Sequence, residues 1–121
     1  MDLLPSDDQL ALVDASRELL ADRCSMERVG AAHESDTGRL DDLWAAASEQ
    51  GWFAVGLPED RGGLGLSIVE TMLLFELLGE FVAPGPWLGT TVGALALAET
   101  PWGERLAAGA PVALGLDLRG A

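Results

Sequence analysis

The sequence predicts an all-α fold, an orthogonal bundle of about five helices. Three observations carry this expectation. Ser6 with Gln9 and Ser67 with Glu70 each form a capping-box pattern, in which side chains and orphan N–H groups at a helix start satisfy one another. Apolar residues recur at helical spacing over most of the chain. Only one stretch, 111–118, alternates with the two-residue period of a strand, through Val112, Leu114, Leu116 and Leu118.

The first helix is expected over 7–24. Asp7 and Asp8 lie in its first turn, where the helix dipole favours negative charge. Leu10, Val13, Leu20 and Cys24 share a face that Leu12 and Leu19 widen, while Asp14, Arg17, Glu18 and Asp22 fall mostly elsewhere. Residues 30–38 read as a polar connection. A second helix is expected over 40–50, with Leu43, Trp44 and Ala47 inward and Gly51 at the left-handed position past its end. Trp52, Phe53 and Val55 form a short apolar segment that plugs into the core.

A loop over 57–66 leads to a third helix, 68–82, apolar around most of its circumference apart from a strip at Glu76 and Glu80. Such a helix is expected to be central and packed on several sides. Pro84 and Pro86 stop it. The segment 87–98 is apolar, and its Gly89 and Gly93 allow close packing. Thr100 then caps a short helix that has Pro101 in its first turn and closes before Gly109.

The strand at 111–118 is the exception, because a lone strand leaves its hydrogen bonds unsatisfied. It either pairs with another chain or opens a β domain that the sequence does not contain. The expected organisation is a helical domain over 1–110, followed at 111–121 by the start of a β domain.

Composition narrows the function. The chain has 121 residues, one domain's worth, with 49% apolar and 22% charged residues, unlike a disordered chain. Its net charge of −13 repels phosphate backbones and anionic lipid heads, which argues against nucleic-acid binding. All seven basic residues are Arg, so a Walker A loop and a Schiff-base lysine are excluded within it. One cysteine forms no internal disulfide, and with no signal peptide at its start the chain reads as cytoplasmic. No stretch is long and uncharged enough for a transmembrane helix.

The candidate chemical groups have structural explanations. Gly63-x-Gly65 lacks the third glycine of a dinucleotide fingerprint, since position 68 is Ile. Ser67 lacks the Gly two residues on that a nucleophile elbow needs, and reads as a helix cap. His33, near Glu34 and Asp36, reads as an exposed loop histidine rather than a metal ligand, because metal sites need three or four ligands. Glu59 and Asp60 read as solvated neighbours, and Glu70, Glu76 and Glu80 as a helix edge. Cys24 reads as a small core residue. Trp44, Trp52, Trp87 and Trp102 read as core or interface anchors.

The run Leu57-Pro58-Glu59-Asp60-Arg61-Gly62-Gly63-Leu64-Gly65-Leu66-Ser67 resembles the Pro-Glu-x-x-Gly-Gly-x-Gly loop of the acyl-CoA dehydrogenase family, in its N-terminal helical domain. Leu43-Trp44 with Gly51-Trp52, the opening Ser6-Asp7-Asp8-Gln9 and the closing Glu104-Arg105-Leu106-Ala107-Ala108-Gly109 resemble the family in the same order. Arg61 departs from it, standing where an aromatic residue is common.

The resemblance implies an FAD enzyme that oxidises an acyl-CoA thioester to its 2-enoyl form. It implies a homo- or hetero-oligomer and an electron-transferring flavoprotein as acceptor. It places no catalytic and no FAD-binding residue on this chain, which stops at the start of the middle domain and is expected to be inactive alone. It implies one wall of an acyl pocket, with Phe75, Leu78, Gly79, Val82, Trp87 and Leu88 as its candidates. The alternatives are a non-catalytic helical module that binds a dehydrogenase-like partner, and an acyl-CoA oxidase or flavin monooxygenase of the same fold.

Overall fold

The computed structural model describes residues 3–115, 117, 119 and 120. It holds six α-helices: α1 (Asp7–Arg23), α2 (Met26–His33), α3 (Asp41–Glu49), α4 (Ile68–Glu80), α5 (Trp87–Ala96) and α6 (Gly103–Ala107). Single 3₁₀ turns lie at Trp52–Ala54 and Glu59–Arg61. No described helix is long and apolar enough to cross a membrane.

Both capping boxes form as expected, at Ser6–Gln9 and Ser67–Glu70. They are joined to each other, since Gln9 Nε2 donates to Glu70 Oε1 at 2.9 Å and so ties the start of α1 to the start of α4. The Ser67 hydroxyl and the Gln9 amide pull the Glu70 carboxyl down to about 2.

The sixth helix, α2, replaces part of the expected polar connection. Ser25 starts it by accepting from the Arg28 amide at 3.3 Å, and Glu27 sits in its first turn. Arg28 then locks α2 onto α3 through a two-pronged pair with Asp42, at 2.6 and 3.1 Å.

Helix α4 ends at Glu80, earlier than expected. The Val82 amide donates to Gly79 O at 3.1 Å and the Ala83 amide to Leu78 O at 2.9 Å, the double bond of a Schellman motif. That motif needs a left-handed residue at position 82, where Gly is usual, yet Val82 occupies it with φ +52. A β-branched residue there costs about 1–2 kcal/mol. Nor is α4 packed all round within this chain. Thr71, Leu74, Leu77 and Leu78 are buried, but Ile68 is 63% and Met72 65% exposed.

The last helix begins at Gly103 rather than behind Pro101. Thr100 accepts from the Trp102 amide at 3.3 Å and donates to Leu97 O at 2.7 Å, which shapes a turn instead of a helix cap. Among the described residues of 111–118 no strand forms, and Leu116 and Leu118 lie outside the described residues. The Val112 amide donates instead to Thr90 Oγ1 at 3.1 Å. Gly89 and Gly93 make room for this segment: a Cβ on Gly89 would stand 2.4 Å from Val112 O, and one on Gly93 2.8 Å from Val112 Cγ1. The close packing expected at these glycines is therefore made in part by a non-helical segment.

The main core joins α1, α2, α3, α4, α5 and the first 3₁₀ turn, and its buried aromatic rings are Trp44, Trp52, Phe53 and Trp87. Trp44 lies 4.5 Å from Phe53 and 4.7 Å from Trp87, and Phe53 stacks on Trp87 at 5.4 Å. The Trp44 indole N–H donates to the Gly109 carbonyl at 2.8 Å in a buried bond. A smaller cluster of Ala54, Leu57, Ala94, Leu106 and Ala107 takes Val112 at its edge.

Trp44→Phe keeps an aromatic ring but removes part of its contacts and strands the buried Gly109 carbonyl, so denaturant unfolding is expected to show a loss of about 1–3 kcal/mol or more. Glu70→Ala removes a cap and is expected to cost about 1 kcal/mol at neutral pH. Glu70 is depressed in the folded state, so its contribution is complete above its ordinary value of 4.5 and is lost as pH falls toward about 2. The gap between wild type and Glu70→Ala should therefore close over that window, as read by urea titrations at a series of pH values.

Candidate functional site

The C-terminal half of α4 puts Phe75, Leu78 and Gly79 on one face, and Val82 follows three residues on. The Schellman turn sends the chain back through Ala83, Pro84 and Gly85 into α5, whose first residues are Trp87 and Leu88. All six expected wall residues, Phe75, Leu78, Gly79, Val82, Trp87 and Leu88, line one open cleft of about 590 Å³.

The cleft's anchor is Trp87. Its ring is buried in the aromatic core, and its indole N–H is shared between the Ala83 and Pro84 carbonyls, each at 3.2 Å. Leu78 is buried, Phe75 is half-buried, and Val82 and Leu88 are exposed at the rim. Gly79 leaves the wall open, since a Cβ there would meet nothing within 4 Å.

Val29 and His33 of α2, with Gly38, complete the opposite side. These three were not anticipated, because no helix was expected over Met26–His33 and residues 30–38 read as a connection. The Ser25 cap followed by Glu27 in a first turn was the available signal. His33 is exposed, as expected, but at the end of a helix rather than in a loop. Among the described residues no group of three metal-binding side chains exists. The lining is apolar apart from His33, so it can bind and orient an apolar group but holds no acid–base pair.

The glycine-rich loop is a built structure. Leu64 and Leu66 amides donate to Ala54 O and Val55 O at 3.1 and 3.0 Å, folding the loop onto the first 3₁₀ turn. Gly62 and Gly65 adopt left-handed backbone, φ +78 and +66. At Gly63 a Cβ would lie 2.0 Å from Leu57 O. The glycines thus answer to backbone geometry, not to a phosphate. Arg61 pairs with Glu99 and links the loop to the α5–α6 turn.

The remaining candidates keep structural roles. Ser67 caps α4. Glu59 and Asp60 are exposed. Glu80 is held by Arg17 at 2.6 Å. Cys24 is buried, which pushes its thiol up despite the nearby Arg28.

This donor set does not fit a flavin dinucleotide. Its pyrophosphate calls for free cations or converging amides. Arg17, Arg23, Arg28, Arg39, Arg61 and Arg119 all lie against carboxylates, and Arg105 stacks over Trp102 at 5.1 Å.

The family model for the acyl-CoA dehydrogenase N-terminal domain matches residues 6–101. The chain is 35% identical over 111 residues to the acyl-CoA dehydrogenase IpdE2 of Mycolicibacterium smegmatis, covering 88% of this chain and 36% of that protein. Its fold superposes on a variant of the Tcur3481-Tcur3483 steroid ACAD with a TM-score of 0.78 and 29% identity, over 88% of this chain and 31% of that one. It matches the fold of the ChsE4-ChsE5 complex from Mycobacterium tuberculosis with a TM-score of 0.80 and 22% identity, over 93% of this chain and 33% of that one. The chain therefore spans about a third of the length of these relatives.

Gly63→Ala is expected to destabilise the domain by about 1–3 kcal/mol, because the backbone must move to admit the methyl group. Chemical denaturation measures the loss.

Proposed function

The chain belongs to the acyl-CoA dehydrogenase family, as its N-terminal domain, and on that premise we propose that it builds one wall of the acyl pocket in an enzyme that converts an acyl-CoA thioester to the 2-enoyl-CoA. The observation that carries this reading is the convergence of Phe75, Leu78, Gly79, Val82, Trp87 and Leu88 on a single apolar cleft. The flavin and the base that takes the α proton belong to parts of the enzyme outside this chain, and the acceptor is an electron-transferring flavoprotein.

This wall acts by binding. It buries the acyl tail, which is worth about 25 cal/mol per Å² of apolar surface removed from water. A tail held against a Trp-anchored wall fixes the thioester's Cα and Cβ relative to the reacting groups. Water is kept from the tail by the same contacts. A ring-bearing acyl group is the choice we favour over a straight chain. The likeness to a chain described as a steroid ACAD supports the same choice.

A second reading has an observation of its own. Ile68, Met72, Leu88, Val92 and Leu95 are all exposed on α4 and α5, and both solved neighbours are named as two-protein assemblies. On that reading the chain is a helical component that docks a dehydrogenase-like partner through these helices.

The first test is the complete enzyme, purified with all its chains, given ring-bearing and straight-chain acyl-CoA thioesters. Product lighter by two hydrogens, read by mass spectrometry, is the expected result; its absence with every thioester overturns the enzyme reading. Gly79→Leu fills the wall and is expected to lower kcat/KM for the ring-bearing thioester about tenfold or more. The same change should leave the domain no less stable, because Leu is the better helix former by about 0.5–1 kcal/mol.

A further inference from the structure

We propose that Val82 is a specificity-determining residue of the acyl cleft, kept in a disfavoured backbone conformation because its isopropyl group contacts a bulky acyl group at the cleft rim. This rests on the reading of the cleft as an acyl pocket.

Three observations converge on Val82. Among the described residues it is the only non-glycine with positive φ; the six others with positive φ are all glycine. The Schellman bonds from the Val82 and Ala83 amides demand that conformation, and glycine or asparagine would supply it with less strain. Core packing does not explain the choice, since Val82 is 57% exposed. What remains is its place on the cleft wall, one helical turn beyond Gly79 and on the same cleft as Leu88. Strained residues held at ligand sites are a recurrent arrangement, and here the strain is observed directly in φ.

The chemistry is a contact, not a catalytic step. A ring system is rigid and loses little entropy on binding, so a fixed branched side chain at the rim matches it well. A flexible straight chain passes the rim with few contacts to lose. Removal of the isopropyl group should therefore weaken ground-state and transition-state binding of the ring-bearing substrate together, which raises KM and spares kcat.

The experiment uses the complete enzyme with Val82→Gly and Val82→Ala, assayed with 3-cyclohexylpropanoyl-CoA and octanoyl-CoA and melted in parallel. For Val82→Gly, KM for the cyclohexyl thioester is expected to rise about tenfold. KM for octanoyl-CoA should rise less, so that the preference between the two thioesters shifts, and the melting temperature should not fall. Val82→Ala is expected to fall between wild type and Val82→Gly in KM. An unchanged ratio of the two substrates in a working enzyme overturns the role of Val82 alone. A fall in melting temperature for Val82→Gly shows that the side chain serves the fold, and overturns it too. A wild-type enzyme that dehydrogenates neither thioester overturns the acyl-pocket reading beneath it.

Discussion

The main core of this domain leans on the packing of Trp44, Phe53 and Trp87. The rings come from α3, from the 3₁₀ turn after it and from the start of α5. Their centroid separations of 4.5 to 5.4 Å put each pair in the range where aromatic contacts add to simple burial. Buried indole N–H groups need partners, and both find backbone carbonyls, Gly109 for Trp44 and Ala83 with Pro84 for Trp87. The cleft inherits its rigidity from this arrangement, because Trp87 is at once a core ring and a wall residue.

Much of this was legible in the sequence, and the limits are physical. Capping boxes are local codes, so the starts of α1 and α4 stood out. The buried Trp52, Phe53 and Val55 followed from a short apolar run after a helix-ending glycine. The six residues that the family resemblance offered as a pocket wall lie on one cleft, a proximity that the spacing of the sequence alone does not give. Helix α2 was missed because eight residues carry too few apolar repeats to show a period, although Ser25 marked its start. The exposed side of α4 was missed for a different reason: hydropathy records how apolar a face is, not whether something covers it. The conformation of Val82 had no sequence signal at all, because the motif it completes ordinarily announces itself with glycine.

The charge distribution bears on which end of a thioester could approach this surface. With a net charge of −13 and its arginines engaged by carboxylates or a tryptophan, the chain offers no welcome to the phosphates of coenzyme A. On the acyl-pocket proposal, the apolar cleft and the acidic exterior favour one orientation, with the acyl end toward this domain and the nucleotide end away from it. The glycine-rich loop, despite its look of a phosphate cradle, agrees as well, since its amides are already bonded to Ala54, Val55, Leu57 and Pro58 carbonyls.

The bond between Trp44 and Gly109 joins residues 65 apart in sequence, and it sets an order of events during synthesis. Closing so long a segment is entropically slow compared with winding a helix. As the chain leaves the ribosome from its N-terminus, α1 to α3 emerge with Trp44 but without Trp87 or Gly109. Until those residues follow, an indole and a line of leucines stay in water. The nascent first half thus carries apolar surface that later residues must cover, and the Trp44 indole has its carbonyl partner only once residue 109 has arrived.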